Sequence, residues 1–298
     1  MNVKKILKLL CLPVEAHLSK KPLAKSSPLF IVGAPRSGTT LAYQLVTEYI
    51  HCSFITNLIN HNNDIPLTMS LVSLYLPAPK TTKFTSNYGN TVGRTKPSQG
   101  DQVWGKFLGK ERAYHSNNTI DSTTLTEANH LIRRIAHIMK APFVNKSITN
   151  SVKLNSILEA FPDARIVWVK REPFFIAQSN YFNWKRKPDL QWVSAKPNNY
   201  AELAKLSVLE KSTLQILSIE RDIEKVIAQH DPKKVMTVNY EDICMKPSLF
   251  LQQVLTMWPD SKLREGRDSD ILSLTPSNKI KLDDIEAGKI KEILTRAG

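Results

Sequence analysis

Cysteine is scarce in this chain of 298 residues. The three cysteines, Cys11, Cys52 and Cys244, lie far apart in the sequence, which argues against a disulfide framework and against the paired spacing of a zinc site. The seven histidines show no H-x-x-x-H pattern, and the carboxylates show no metal-ligand spacing. We therefore expect no bound metal.

Long apolar runs are also missing. Near the N-terminus, the apolar run at residues 6–14 is interrupted by Lys8 and closed by Pro13 and Glu15. This run is too short to cross a bilayer and makes a poor signal peptide, so we expect a cytoplasmic protein. The basic residues around it leave open a peripheral membrane contact, made by an amphipathic helix in this segment.

Acidic residues are outnumbered by basic ones. The chain has 41 Lys and Arg against 27 Asp and Glu, a net charge of +14 at neutral pH. Such a field attracts nucleotides, nucleic acids, acidic glycans and anionic lipids without choosing among them. Because the basic residues are scattered and not interleaved with aromatic residues, no nucleic acid is expected as a partner.

Short apolar segments alternate with helical patterns along the chain. The segments lie at residues 29–32, 142–145, 165–169 and 234–238, and helices are expected over 199–229 and 247–257. This alternation predicts an α/β fold with a parallel sheet flanked by helices. We predict one domain over residues 28–298, preceded by a basic segment at 1–27, with a substrate loop within residues 77–105.

Residues 33–40 read GAPRSGTT, between the first apolar segment and a helical pattern. Such a loop directs backbone N–H groups and the positive end of a helix dipole at one point, which predicts a bound phosphate-like anion. Thr39 stands where a nucleotide triphosphatase has the lysine of G-x-x-x-x-G-K-[ST], and Arg36 supplies the cation instead. The loop therefore suits an anion bound without magnesium. Its further predicted ligand-binding residues are Ser37, Gly38, Thr39 and Thr40.

Two later segments repeat the order of strand, turn and helix. Residues 142–147 read PFVNKS, a short strand that ends at Lys146. Residues 164–182 read ARIVWVKREPFFIAQSNYF, in which Arg171 ends a strand and Ser179 follows eight residues later, in a helix that Pro173 can start. Arg171 and Ser179 could then meet one anion, although an arginine that only caps the sheet edge fits the same pattern.

Together, these segments resemble the sulfotransferases that use 3′-phosphoadenosine 5′-phosphosulfate (PAPS). That family has a 5′-phosphosulfate loop and then, in order, N-K or E-K after a strand, F-P-D-A-[RK], [RK]-[DE]-P and a serine, and the match is nearly continuous over residues 143–179. The resemblance implies a P-loop nucleotide-binding fold. It also implies transfer of a sulfuryl group to an acceptor hydroxyl or amine, with release of adenosine 3′,5′-bisphosphate.

The resemblance also implies roles for individual residues. The loop with Arg36 would bind the 5′-phosphate, Lys146 and Arg36 would be the catalytic cations, and Arg171 and Ser179 would hold the 3′-phosphate. The order along the chain adds Ser277 and Lys279 as candidates for the 3′-phosphate site. An ordinary exposed loop would explain these two residues equally well.

The general base is the weakest match to the family. Some sulfotransferases have an acidic residue after Pro-Ser in an acceptor loop, but here Gln99 follows Pro97-Ser98 and cannot act as a base. Asp101 is our candidate, although an ordinary loop carboxylate explains this residue better when it is considered alone. The remaining candidates are His61, Asp64 and His115.

Two other classes of function stay open from the sequence. A nucleotide kinase shares the fold, although Thr39 in place of lysine counts against it. A non-catalytic protein that binds PAPS or another anion would explain Gln99. For an enzyme, the acceptor could be a glycan, a lipid, a small alcohol or a peptide.

Overall fold

The computed structural model describes residues 3–76, 84, 91–266 and 273–297. It confirms the predicted fold class, because four parallel strands form a central sheet. These strands are β1 (Leu29–Val32), β3 (Val144–Lys146), β4 (Arg165–Lys170) and β5 (Val235–Asn239). Their order in the sheet is β3-β1-β4-β5. A separate antiparallel pair joins β2 (Ile50–His51) and β6 (Lys262–Leu263).

Helices make up most of the remaining described structure. They are α1 (Val3–Leu18), α2 (Thr39–Tyr49), α3 (Asn57–His61), α4 (Pro66–Tyr75), α5 (Asp101–Phe107), α6 (Ser122–Met139), α7 (Ile148–Val152), α8 (Leu154–Ala160), α9 (Pro173–Lys185), α10 (Tyr200–Leu203), α11 (Val208–Ile227), α12 (Tyr240–Met245), α13 (Pro247–Met257) and α14 (Asp284–Ala297), with a 3-10 turn at Pro232–Lys234. Among the described residues, none of the helices has the length and apolar character needed to span a membrane.

Both faces of the sheet are covered, as the unbroken apolar strands predict. In β1, Phe30 and Val32 belong to one hydrophobic core, whereas Leu29 and Ile31 belong to a second core on the opposite face. The residues of β4 alternate between the same two cores. This arrangement follows from the two-residue period of a strand, and it fixes the sheet between two layers of helices.

The second predicted apolar segment, residues 142–145, forms a strand that begins later than expected and ends at Lys146, as the PFVNKS pattern predicted. This strand, β3, spans Val144–Lys146, and Phe143 instead forms a bridge with Ser53. Lys146 is therefore the last residue of a buried strand. Its register opposite Ile31 of β1 places it beside the end of the central strand.

Helix α5 begins inside the predicted substrate loop, which is a departure from the sequence interpretation. The loop ends at Gly100, whose φ of 79° is left-handed, and α5 follows from Asp101. Trp104 of α5 packs against Phe30 and donates from its indole Nε1 to Asn145 Oδ1 at 3.0 Å. This contact holds residues 97–101 beside β3, while residues 77–83 and 85–90 of the predicted loop lie outside the described residues.

Candidate functional site

A cleft of about 380 Å³ lies at the carboxyl edge of the sheet. The four parallel strands end there, so their last residues and the loops that follow them are brought together. In the sheet, β1 lies between β3 and β4, and this is the topological switch point at which open α/β sheets bind ligands. Lys146, the β1–α2 loop, Arg171 and Tyr240 line this cleft from the four strand ends.

The β1–α2 loop is shaped by two glycines. A Cβ at Gly33 would lie 2.5 Å from the Val169 carbonyl oxygen, so only glycine permits this close approach of the loop to β4. Gly38 has a φ of 96°, and a Cβ there would lie 2.3 Å from the ring of Tyr240. The loop therefore fits tightly between β4 and the residue that follows β5.

Unsatisfied donors face the cleft at the start of α2. Gly38 is the N-cap of this helix, and no side chain caps it, so the first N–H groups of the helix have no partner within it. Thr39 and Thr40 add hydroxyl groups to the lining of the cleft. Ser37 lies beneath them, fully buried, and its Oγ makes no hydrogen bond with the described residues. A helix N-terminus in this state is an anion site.

Two arginines join this loop to β4 and α9. Arg36 has a φ of 76°, a strained value for a residue other than glycine, and its Nε donates to Ser179 Oγ at 2.9 Å. Arg171 donates from Nη1 to the Arg36 carbonyl oxygen at 3.0 Å, and its guanidinium lies 4.5 Å from the centre of the Tyr240 ring. Burial, followed by the charges of Arg171 and Arg186, lowers the pKa of Arg36. An anion placed here would relieve that repulsion.

The C-terminal segment closes over the same arginine. Arg171 Nη2 donates to the Ser277 carbonyl oxygen at 2.6 Å and to Asn278 Oδ1 at 2.7 Å. Gln178 of α9 binds the backbone on both sides of residue 280, since its Nε2 donates to the Lys279 carbonyl oxygen and its Oε1 accepts from Lys281 N.

Two lysines of this segment are placed differently. Of the described residues, Ser277 and Lys281 line the cleft, whereas Lys279 contributes its backbone and is not part of the lining. Lys281 and Gln178 were missed from the sequence because neither belongs to a motif. The contact between α9 and this segment joins residues about a hundred positions apart, a separation that no local pattern reveals.

Lys146 lies on the opposite side of the loop. Its side chain is only 2% exposed, and its Nζ lies 3.5 Å from Gln99 Oε1, an uncharged partner. Burial lowers the pKa of Lys146 to about 8; the charge of Asp101 opposes this effect and that of Arg36 adds to it. Among the described residues no carboxylate contacts the Lys146 ammonium directly, so this buried cation is well suited to bind an anionic group.

Asp101, the candidate general base, lies behind Lys146. Its Oδ1 accepts from Ser147 Oγ at 3.2 Å, and its Oδ2 forms an ion pair with Arg112 at 2.9 Å. Arg112 lines the cleft, whereas Asp101 does not. Lys153 fixes the chain just before Arg112, because its buried Nζ donates to the carbonyl oxygens of Leu108 and Gly109.

The other candidate bases lie outside the cleft. His61 Nδ1 is 2.6 Å from the Asn57 carbonyl oxygen, and Asp64 pairs with Lys106. His115 is buried against Ser156, and burial lowers its pKa to about 4. Among the described lining residues there is neither a carboxylate nor an imidazole, so the general base stays a prediction.

The lining of the cleft is strongly cationic. Among the described residues it carries six guanidinium or ammonium groups: Arg36, Arg112, Lys146, Arg171, Lys187 and Lys281. No cluster of His, Cys, Asp or Glu in the described part of the chain could hold a metal ion. The cleft is therefore built to bind a ligand that carries several negative charges.

A buried carboxylate supports the loop from below. Glu220 of α11 accepts from the Ala34 backbone N–H at 3.0 Å through Oε1. Burial raises the pKa of Glu220 to about 7, an effect that this hydrogen bond and the charge of Lys170 oppose. Glu220 was missed from the sequence because it lies in the middle of an amphipathic helix, where a glutamate is normally exposed.

Comparison with known proteins gives one family. A sequence model described as the sulfotransferase family matches residues 28–258. No curated protein sequence matches the chain. In fold, the chain is similar to sulfotransferase STF9 from Mycobacterium avium, with a TM-score of 0.55 at 14% identity over 97% of this chain and 72% of that one. The sulfotransferase domain from the curacin biosynthetic pathway aligns with a TM-score of 0.49 at 13% identity over 91% of this chain and 98% of that domain.

Substitution of Glu220 by glutamine tests whether the pKa of this carboxyl group is raised in the folded protein. A carboxyl group whose pKa is raised in the folded protein stabilises the fold below its unfolded pKa, and this contribution is lost as the pH rises through about 7. We therefore expect the free energy of unfolding of the wild type to fall between about pH 5 and pH 8, by roughly 3 kcal/mol relative to Glu220→Gln. Urea denaturation at several pH values measures this difference. Equal pH slopes in the two proteins would contradict it.

Proposed function

Because the chain belongs to the sulfotransferase family, we propose that it transfers a sulfuryl group from PAPS to an acceptor hydroxyl or amine and releases adenosine 3′,5′-bisphosphate. One observation carries this proposal. The uncapped N-terminus of α2 and the Arg171–Ser179 pair lie on one cationic cleft, linked through Arg36. PAPS has anionic groups at both its 5′ and 3′ positions, which matches two adjoining anion sites.

In this proposal each of the two anion sites binds one anionic end of PAPS. The N–H groups at the start of α2, with Thr39, Thr40 and the Arg36 guanidinium, would bind the 5′-phosphosulfate. Arg171 and Ser179 would bind the 3′-phosphate, and the segment with Ser277 would complete that side. Lys279 stays a predicted member of the 3′-phosphate site, and Lys281, which lines the cleft, joins it as a candidate.

The protein's part in the transfer is electrostatic. As the bond between sulfur and the bridging oxygen breaks, negative charge grows on the departing phosphate, and Arg36 and the α2 N-terminus would neutralise it. Lys146, on the other side of the loop, would stabilise the oxygens of the transferred group. By analogy with phosphoryl transfer, binding the two substrates in line supplies much of the rate enhancement.

The acceptor side of the proposal is less specific. The acceptor proton needs a base as the new S–O or S–N bond forms, and Asp101, held by Ser147 and Arg112, is our candidate for it. We propose a glycan, a lipid, a small alcohol or a peptide as acceptor, and no nucleic acid. A cytoplasmic location is part of the same proposal.

A kinase and a non-catalytic anion-binding protein are the two alternatives. A kinase would bind ATP with magnesium more tightly than adenosine 3′,5′-bisphosphate. The absence of a base from the described lining favours the non-catalytic alternative more than the kinase. Incubation with PAPS and mixed acceptors separates these cases, because only a sulfotransferase releases adenosine 3′,5′-bisphosphate in proportion to the acceptor consumed.

Replacement of Arg171 by alanine tests the 3′-phosphate site. This change removes a guanidinium from a buried anion site, and we expect adenosine 3′,5′-bisphosphate to bind about 100-fold more weakly, with little change for adenosine 5′-phosphate. Isothermal titration calorimetry measures both affinities. Arg165→Ala is the matched control, since Arg165 lies at the opposite end of β4 and its guanidinium donates to the Lys233 carbonyl oxygen.

The same titration distinguishes Lys279 from Lys281. Because Lys281 lines the cleft and Lys279 is not among the described lining residues, we expect Lys281→Ala to weaken bisphosphate binding more than Lys279→Ala does. An equal loss for both nucleotides in Arg171→Ala would show that Arg171 does not bind the 3′-phosphate. In each variant, a thermal unfolding curve like that of the wild type excludes misfolding as the cause.

Protonation of Lys146 gives a test based on pH. The pKa of this ammonium is about 8 in the free protein, and a bound polyanion raises it by favouring the charged form. Near or above about pH 8, bisphosphate binding should therefore take up protons, and the affinity should fall as the pH rises further. Calorimetry in buffers of different ionisation enthalpy measures this uptake.

The matched variants for this test are Lys146→Met and Lys205→Met. Lys146→Met should lose the proton uptake, whereas Lys205→Met, a change at an exposed lysine, should keep it. Unchanged uptake in Lys146→Met would contradict the assignment of this proton uptake to Lys146.

A further inference from the structure

Helix α1 is anchored to the body of the protein by one face. The two carboxylate oxygens of Glu15 accept from the backbone N–H groups of Leu67 and Thr68, at 3.0 and 2.7 Å, in the first turn of α4. A third bond joins the Thr68 hydroxyl to the same carboxylate. On this face, Leu18 is buried in the core and Cys11 packs against it.

The opposite face of α1 is apolar and exposed. Leu9, Leu10 and Leu12 have exposed fractions of 53, 72 and 42%. A surface helix normally turns polar residues to water, so this helix has the reverse pattern on its outer side. The neighbouring α4 adds two strongly exposed apolar residues, Leu74 and Tyr75. Such a continuous apolar helix face usually marks an interaction surface.

Basic residues outnumber acidic ones in this N-terminal segment. Residues 1–25 contain six lysines and one acidic residue, Glu15. The anchoring contact turns that carboxylate towards α4, which leaves the outer side without an acidic group from this segment. Lys20, Lys21 and Lys25, which follow the helix, are exposed.

We propose that α1 binds the surface of an anionic lipid bilayer, lying in the plane of the interface with Leu9, Leu10 and Leu12 in the apolar layer. An exposed apolar helix face followed by exposed lysines matches the acyl chains and acidic headgroups of such a membrane. A second copy of the chain is a poorer match for the same face, because the lysines of the two copies would repel each other. The inference concerns a surface distinct from the cleft and does not depend on the reaction catalysed.

Vesicle flotation with the full-length protein tests this proposal. We expect the wild type to float with vesicles of phosphatidylcholine and phosphatidylglycerol, and much less with phosphatidylcholine alone or at high salt. Leu9→Ser/Leu10→Ser should lower the partition coefficient by at least about tenfold, since both side chains enter the apolar layer. Leu190→Ser/Leu249→Ser, which changes two exposed leucines elsewhere, is the matched control and should float like the wild type.

Charge reversal and the state of association complete the test. Lys20→Glu/Lys21→Glu should weaken binding to anionic vesicles, whereas Lys205→Glu/Lys225→Glu, at exposed lysines outside the segment, should have a smaller effect. The proposal is overturned if the wild type fails to float with anionic vesicles, or if Leu9→Ser/Leu10→Ser floats as well as its control. It is also overturned if the wild type is a dimer that Leu9→Ser/Leu10→Ser converts to monomer, without binding of either protein to vesicles.

Discussion

The hydrogen bond from Arg171 to the Arg36 carbonyl oxygen holds the two halves of the cleft together. On one side it fixes the β1–α2 loop, in which Arg36 keeps a left-handed backbone and reaches Ser179. On the other side, the same guanidinium holds the C-terminal segment at Ser277 and Asn278. Two partly buried guanidinium groups repel each other, so this geometry favours an anion between them.

The parts of the site that sequence could predict are those in which neighbours along the chain are also neighbours in space. The loop at residues 33–40 follows a buried strand and starts a helix, and the structure has both elements where they were expected. Arg171 directly follows β4 and Pro173 begins α9, as the spacing to Ser179 required. In a parallel sheet the carboxyl ends of strands share an edge, so these separate motifs were also expected to meet.

The remaining features depend on contacts between distant segments. Glu220 supports Ala34 from a helix 186 positions away in the chain, and its sequence context resembles that of any exposed helical glutamate. Lys281, and not Lys279, faces the cleft because Gln178 fixes the backbone around residue 280. Asp101 was expected in a loop but begins α5, whose position is set by the packing of Trp104 on Phe30 and its bond to Asn145. No local pattern encodes such packing.

A crystal structure of the protein with adenosine 3′,5′-bisphosphate tests the central claim most directly. The claim is that one cleft at the carboxyl edge of the sheet binds a nucleotide through two anion sites. We predict the 5′-phosphate at the N-terminus of α2 and the 3′-phosphate within hydrogen-bonding distance of the Arg171 guanidinium and Ser179 Oγ. A nucleotide bound outside this cleft, or one whose 3′-phosphate points to solvent away from Arg171, would contradict the account.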